Sequence, residues 1–217
     1  DHISGEMAVM FSDIRSFTAI SETMSPQENF DFINAYFKRV SPAIRAYNGF
    51  IVKFLGDGIM AVFPNGAEDA VKAGIEKLTQ VSVYNDKRRL NGRQPIQIGI
   101  GVHTGHMMVG MVGEAARMQG DAFSDNVNLT ARLESLTKYY GVSLIVSGDT
   151  VKKLIDPDHY RIRFLGKVQV KGKEEAISVY EIYDGDPEDM IALKVQTRSD
   201  FEEGLCLYYK REFAEAA

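Results

Sequence analysis

Hydrophobic positions crowd together over residues 6–13 (E-M-A-V-M-F-S-D), an apolar run closed by a carboxylate, which predicts a buried strand. A short helix is expected over 18–24, then Ser25 as N-cap with Pro26 at a first helical position, where proline is tolerated. From Phe30 the apolar positions recur as Ile33, Tyr36, Phe37, Val40, Ile44 and Tyr47, a helical spacing that Asn48-Gly49 ends. Two strands, 50–55 and 59–63, flank Gly56-Asp57-Gly58, a hairpin turn signal. A long helix is expected from 67 to about 89. Strands follow over 96–102 and 107–112 around a turn at His103-Thr104-Gly105, then a helix over 127–139. Further strands are expected over 142–146, 160–164 and 177–182. Alternating strands and helices argue for an α/β or α+β sandwich.

Asp184-Gly185-Asp186-Pro187 marks a boundary. The expected organisation is one domain over 1–183, a linker over 184–197 and an amphipathic helix over 198–217. In that last segment Phe201, Leu205, Tyr208, Tyr209 and Phe213 share one helical stripe. The stripe suits a helix packed on the domain or on a partner. Its Phe201, Gly204-Leu205 and Tyr208 also resemble the opening of a tetratricopeptide repeat with the Gly and Leu order swapped.

Composition narrows the classes. Over 217 residues, 45% hydrophobic and 25% charged content suits a packed globular core. A formal charge of -5 argues against broad binding to nucleic acid or anionic lipid, so a polyanionic substrate needs a local cationic site. The single cysteine, Cys206, cannot form an internal disulfide, which suits a reducing, cytoplasmic setting. No stretch is long and apolar enough to span a bilayer. The chain opens at Asp1 with a strand close behind, so it is read as part of a longer protein with an upstream sensor or regulatory domain.

Two carboxylates stand out. Asp13 closes the first apolar run, in F-S-D-I-R-S-F-T, and Asp57 is the middle of L-G-D-G. A buried lone carboxylate is costly unless it is paired or holds a metal. If the 50–63 hairpin lies beside the first strand, the two converge, and such an oxygen set suits a hard cation such as Mg²⁺ or Mn²⁺. Each also has an ordinary reading, Asp57 as a turn residue and Asp13 as a cap.

Five segments in order carry a resemblance: F-S-D-I-R-S-F-T, V-K-F-L-G-D-G, G-I-G-V-H-T-G, D-A-F-S-D-N-V-N-L-T-A-R-L-E and V-K-G-K. Together they resemble the catalytic domain of class III adenylyl and guanylyl cyclases over about residues 6–182. The resemblance implies an α+β fold, with a mostly antiparallel central sheet of ferredoxin-like core flanked by helices; a C-terminal helical extension follows it. It also implies a homodimer with active sites at its interface and two divalent ions per site. By the same resemblance, Asp13, Asp57 and the carbonyl of Ile14 hold metal, and Phe17 and Thr18 belong to the turn that cradles phosphate. Lys53 and Asp121 match the pair that reads the purine, Asn128 and Arg132 the pair that orients ribose and steadies the transition state, and Lys171 the lysine that holds the terminal phosphates. His106 stands just after H-T-G, where many members carry a basic residue; it either touches phosphate or serves the hairpin there.

The base-reading pair bears on the substrate. Lysine only donates and an ionised aspartate only accepts. Adenine offers an acceptor at N1 and a donor at its amine; guanine reverses both. Lys53 and Asp121 therefore favour ATP. The expected activity is an adenylyl cyclase forming cyclic AMP and pyrophosphate. The alternatives are a guanylyl cyclase, or a cyclase-like domain that binds nucleotide or dimerises without catalysis.

Overall fold

The computed structural model describes residues 2–114, 117–169 and 176–216, with side chains described outside 111–123. Its strands are β1 (His2–Ile14), β2 (Phe50–Leu55), β3 (Gly58–Phe63), β4 (Ile98–Glu114), β5 (Arg117–Phe123), β6 (Leu144–Ser147), β7 (Ile162–Val168) and β8 (Ile177–Ile182). The helices are α1 (Phe17–Ser21), α2 (Pro26–Ala46), α3 (Ala67–Leu90), α4 (Asp125–Tyr140), α5 (Gly148–Lys152), α6 (Glu188–Gln196), α7 (Arg198–Tyr209) and α8 (Phe213–Ala216). The strands form one sheet in the order β2-β3-β1-β4-β6-β8-β7, with β5 folded back on β4. The β4–β6 pair is parallel; the other pairs are antiparallel. This is the expected α+β architecture with a mostly antiparallel sheet.

The central strand explains its own composition. Ala8, Met10 and Ile14 join the core cluster beneath α2 and α3, while Met7 and Val9 join a second cluster on the opposite face. A strand covered on both sides reads as a continuous apolar run. Helix α2 starts with a capping box: Ser25 accepts from the Glu28 amide, and Glu28 accepts from the Ser25 amide at 2.8 Å.

Three expectations need correction. The two strands expected around His103-Thr104-Gly105 are one strand, β4, which pairs with β1 from Ile14↔Ile98 to His2↔Gly110 without a break. Its glycines serve packing rather than a turn. Strand β5 was absent from the sequence reading because its polar residues carry no apolar alternation. The stretch expected as a linker is helical over Glu188–Gln196. Lys194, nearly buried there, bonds Asp186 at 2.6 Å and also bonds Glu181, which in turn pairs with Arg163 at 2.7 Å. The C-terminal helices dock on β7 as well: the guanidinium of Arg163 stands 4.2 Å from the Phe201 ring, and the Lys167 amide donates to the Tyr209 hydroxyl. The expected stripe breaks between Tyr209 and Phe213, where Arg211 takes a positive φ of 65°. Among the described residues, no helix is long and apolar enough to cross a membrane.

Candidate active site

The end of β1 and the β2–β3 turn meet as the pairing of the hairpin with β1 requires: β1 and β3 run in register from Ala8↔Phe63 to Ser12↔Ile59. That register carries Asp57, one residue before β3, to the end of β1. The Ile14 amide donates to Asp57 Oδ2 at 2.9 Å. Asp13, Ile14 and Asp57 line one open cleft of about 340 Å³, with Arg15, Ser16, Phe17, Thr18, Glu134, Ser135, Thr137 and Lys138. Ser16 adopts φ 55°, a left-handed turn that reverses the chain into α1. The opening amides of that helix, at Phe17 and Thr18, have no acceptor within the helix itself.

Alternation along β4 builds the other wall. Ile98, Ile100 and Val102 face the α2–α3 core, so Gly99, Gly101, His103 and Gly105 face α4. A Cβ at Gly101 would stand 2.3 Å from the Glu134 amide nitrogen and 2.8 Å from the Thr130 carbonyl, so helix backbone lies directly on strand backbone. A Cβ at Gly99 would stand 2.7 Å from Glu134 Oε1. Gly99 is the β4 partner of Asp13, so its missing side chain admits the Glu134 carboxyl beside Asp13. His103 is buried, with Nδ1 2.7 Å from Ser147 Oγ and Nε2 3.1 Å from Asn126 Oδ1. Asn126 also donates from Nδ2 to the His106 carbonyl at 2.8 Å. His103 thus anchors the start of α4. The His106 side chain is exposed on β4.

The cleft is electrostatically crowded. Burial pushes Asp57 above the usual carboxylate range, with the Asp13 charge adding to it and the Ile14 amide opposing it. Burial, then the hydrogen bond and charge of Asp13, push Glu134 up to about 8, against the pull of Arg15. Asp13 and Asp57, both half-buried, are hard oxygen donors of the kind a divalent cation takes, and such an ion would relieve the crowding of negative charge; among the described residues no group of three or more His, Cys, Asp or Glu side chains is placed to hold one. Glu134 and Arg15 were not singled out from the sequence. Both lie inside the segments already quoted, but their relevance depends on α4 crossing β1, which no local pattern displays.

The remaining expected residues lie elsewhere. Lys53 is half-buried on β2, opposite Met60 at a register shift. Asp121 is on β5, opposite Gly110, and β5 also contacts β2, so the two base-reading candidates belong to strands that meet. Asn128 and Arg132 are exposed on α4, on the side away from its buried Leu129, Thr130, Leu133 and Thr137. Neither they nor Lys53 line the cleft of Asp13 and Asp57. Lys171 lies outside the described residues.

The Adenylate and Guanylate cyclase catalytic domain profile matches residues 2–183. The chain belongs to this cyclase family. The cyclase domain is 40% identical over 182 residues to an adenylate cyclase of Anabaena cylindrica, covering 81% of this chain and 36% of that protein. It is 36% identical over 224 residues to the terminal-differentiation-specific adenylate cyclase of Dictyostelium discoideum, covering all of this chain and 10% of that protein. The chain therefore spans a minor part of these relatives' length. Among solved structures, the adenylyl cyclase CyaB from P. aeruginosa superposes with a TM-score of 0.72 at 30% identity, over 84% of this chain and 95% of that one.

Proposed function

We propose that this cyclase domain converts ATP to 3′,5′-cyclic AMP and pyrophosphate, in sites formed between two copies of the chain. The observation that carries the reading is a division within one chain. Asp13, Ile14 and Asp57 converge on a cleft, while Asn128 and Arg132 face outward on α4 and leave that cleft without them. A two-fold pair of chains supplies each cleft with the outward face of the other copy.

In this reading Asp13, Asp57 and the Ile14 carbonyl hold Mg²⁺ or Mn²⁺, two ions per site. When bound, these ions acidify the ribose 3′-hydroxyl and neutralise the triphosphate. The Phe17 and Thr18 amides receive phosphate oxygens at the opening of α1. From the second copy, Asn128 orients the ribose and Arg132 meets the charge that grows on the α-phosphate. Lys171 of that copy holds the terminal phosphates. The 3′-oxygen loses its proton and bonds to the α-phosphorus, and the bond from that phosphorus to pyrophosphate breaks. Positioning and charge account for the rate, since phosphoryl transfer asks for little covalent help. Lys53 and Asp121 select adenine by donor and acceptor polarity.

The test is product analysis from equal ATP and GTP with Mg²⁺ and with Mn²⁺. Cyclic AMP is the expected main product. Predominant cyclic GMP would overturn the base assignment, and no cyclic product from an assembled dimer with either ion would overturn catalysis. Regulation through a further domain is consistent with relatives much longer than this chain.

A further inference from the structure

Arg15 directly follows the strand end that carries Asp13 and Ile14, yet its side chain reaches the far end of α4. Its Nη2 donates to the Thr137 carbonyl at 3.2 Å and to the Val142 carbonyl. The Thr137 carbonyl also accepts the Val142 amide at 3.0 Å, in the αL turn at Gly141 that closes the helix. A guanidinium suits this place, because the last carbonyls of a helix carry partial negative charge and the two N–H groups of its one terminal nitrogen serve two acceptors at once. The main chain of Arg15 is held too, its amide donating to the Gln97 carbonyl at 2.8 Å. The opposite end of α4 is held separately, by the Ser124 cap and by Asn126 bonded to His103 and the His106 carbonyl. Asn128 and Arg132 stand between these two holds. The hold at the C-terminal end is made by the same strand end that makes the metal cleft.

We propose that Arg15 is a positioning residue that ties the metal-cleft strand of its own chain to the C-terminal turn of α4, and so sets how Asn128 and Arg132 are presented to the site completed by a second copy. The link makes α4 a lever between the two sites of a dimer: the strand end that shapes one cleft also sets the helix serving the other. A displacement at Ile14 is passed on through one planar side chain to the outward face of α4.

The proposal rests on the composite-site reading, and mixed dimers separate the two. A dimer of an Asp57→Ala chain and an Asn128→Ala chain has one complete site. Its metal cleft comes from the Asn128→Ala chain and its α4 from the Asp57→Ala chain. If this dimer assembles and is inactive, the composite-site reading fails and takes the proposal with it. If it is active, Arg15→Ala is added to one chain or the other. On the cleft-donating chain it is expected to raise the Mg²⁺ concentration for half-maximal rate. On the α4-donating chain, whose own cleft is already disabled, it is expected to lower the maximal rate by about fivefold or more without moving Mg²⁺ half-saturation. Arg15→Lys there is expected to recover part of that rate, because an ammonium keeps the charge and its donors on a shorter side chain that reaches the two carbonyls less well. An unchanged rate with Arg15→Ala on the α4-donating chain would overturn the proposal and leave Arg15 serving its own cleft alone. Equal rate losses from both placements, matched by a fall in melting temperature or dimer assembly, would overturn it in favour of a stability role.

Discussion

The two faces of α4 live under opposite constraints. The inner face, with Thr130, Leu133 and Thr137 buried and Glu134 in the Asp13–Asp57 cleft, rests on bare glycine backbone at β4. The outer face presents Asn128 and Arg132 to open solvent. Buried positions so tightly packed tolerate almost no added volume. An exposed asparagine and arginine suit any solvent-facing helix surface, so their role has to be tested by substitution. The contrast is what the proposed two-chain site requires: one part of it gathered in a cleft, the other carried on an outward face.

The largest effect is expected from disabling the cleft. Asp57→Ala is expected to lower turnover by about 100-fold or more while the fold survives, since the residue lies in a turn at the surface of a cleft. Circular dichroism checks the fold and cyclic AMP formation the turnover. Substantial Mg²⁺-dependent activity would contradict the metal assignment. Next in size is the seam itself. Gly101→Ala must separate α4 from β4, because its Cβ meets main-chain atoms that cannot swing aside. A loss of about 1–3 kcal/mol in denaturant unfolding is expected. A neutral result would mean that the seam is looser than its geometry indicates.

Base selection sharpens the picture at the strands that meet beside β4. Lys53→Glu with Asp121→Cys should move the ratio of cyclic GMP to cyclic AMP, formed from equal substrates, by about tenfold or more towards cyclic GMP. An unchanged ratio in a folded, active double variant would remove Lys53 and Asp121 from base reading.

The smallest effect concerns the opposite face of β1, where Lys77 is fully buried and its ammonium bonds the Ser12 hydroxyl. Burial lowers its pKa from 10.5 to about 7. Between those values the unfolded chain binds a proton that the native chain does not, so stability rises with pH through that window. Below about 7 both states are protonated and the burial penalty is complete. Lys77→Met is therefore expected to stabilise by about 1 kcal/mol or more at pH 6, with a smaller gain at pH 9. Urea melts at the two pH values check this, and an equal gain at both would point to packing rather than charge.

Periodicity and turn chemistry made much of this fold legible. The Ser25 cap of α2, the β2–β3 hairpin around Asp57 and the buried β1 run all rest on local patterns, and each is present. The G-I-G-V-H-T-G segment misled because three glycines in seven residues read as a turn. Their use appears only when α4 is laid across β4, which is a tertiary fact. Strand β5 was missed because its sequence has no apolar period, and α6 because the boundary signal at 184–187 hid the ion pairs of Lys194. In the site, Asp13 and Asp57 were visible as acids at strand ends and turns. Glu134 was not, since it differs from any helix-surface glutamate only by facing Gly99.

One measurement bears most directly on the division between the two halves. Asp57→Ala and Asn128→Ala chains, each inactive as a homodimer, are mixed in equal amounts and allowed to exchange. Half of the dimers formed are mixed and each carries one complete site of two, so cyclic AMP formation is expected to return to about a quarter of the unmutated rate. A mixture that stays as inactive as its parents, with mixed dimers shown to be present, would contradict the composite site.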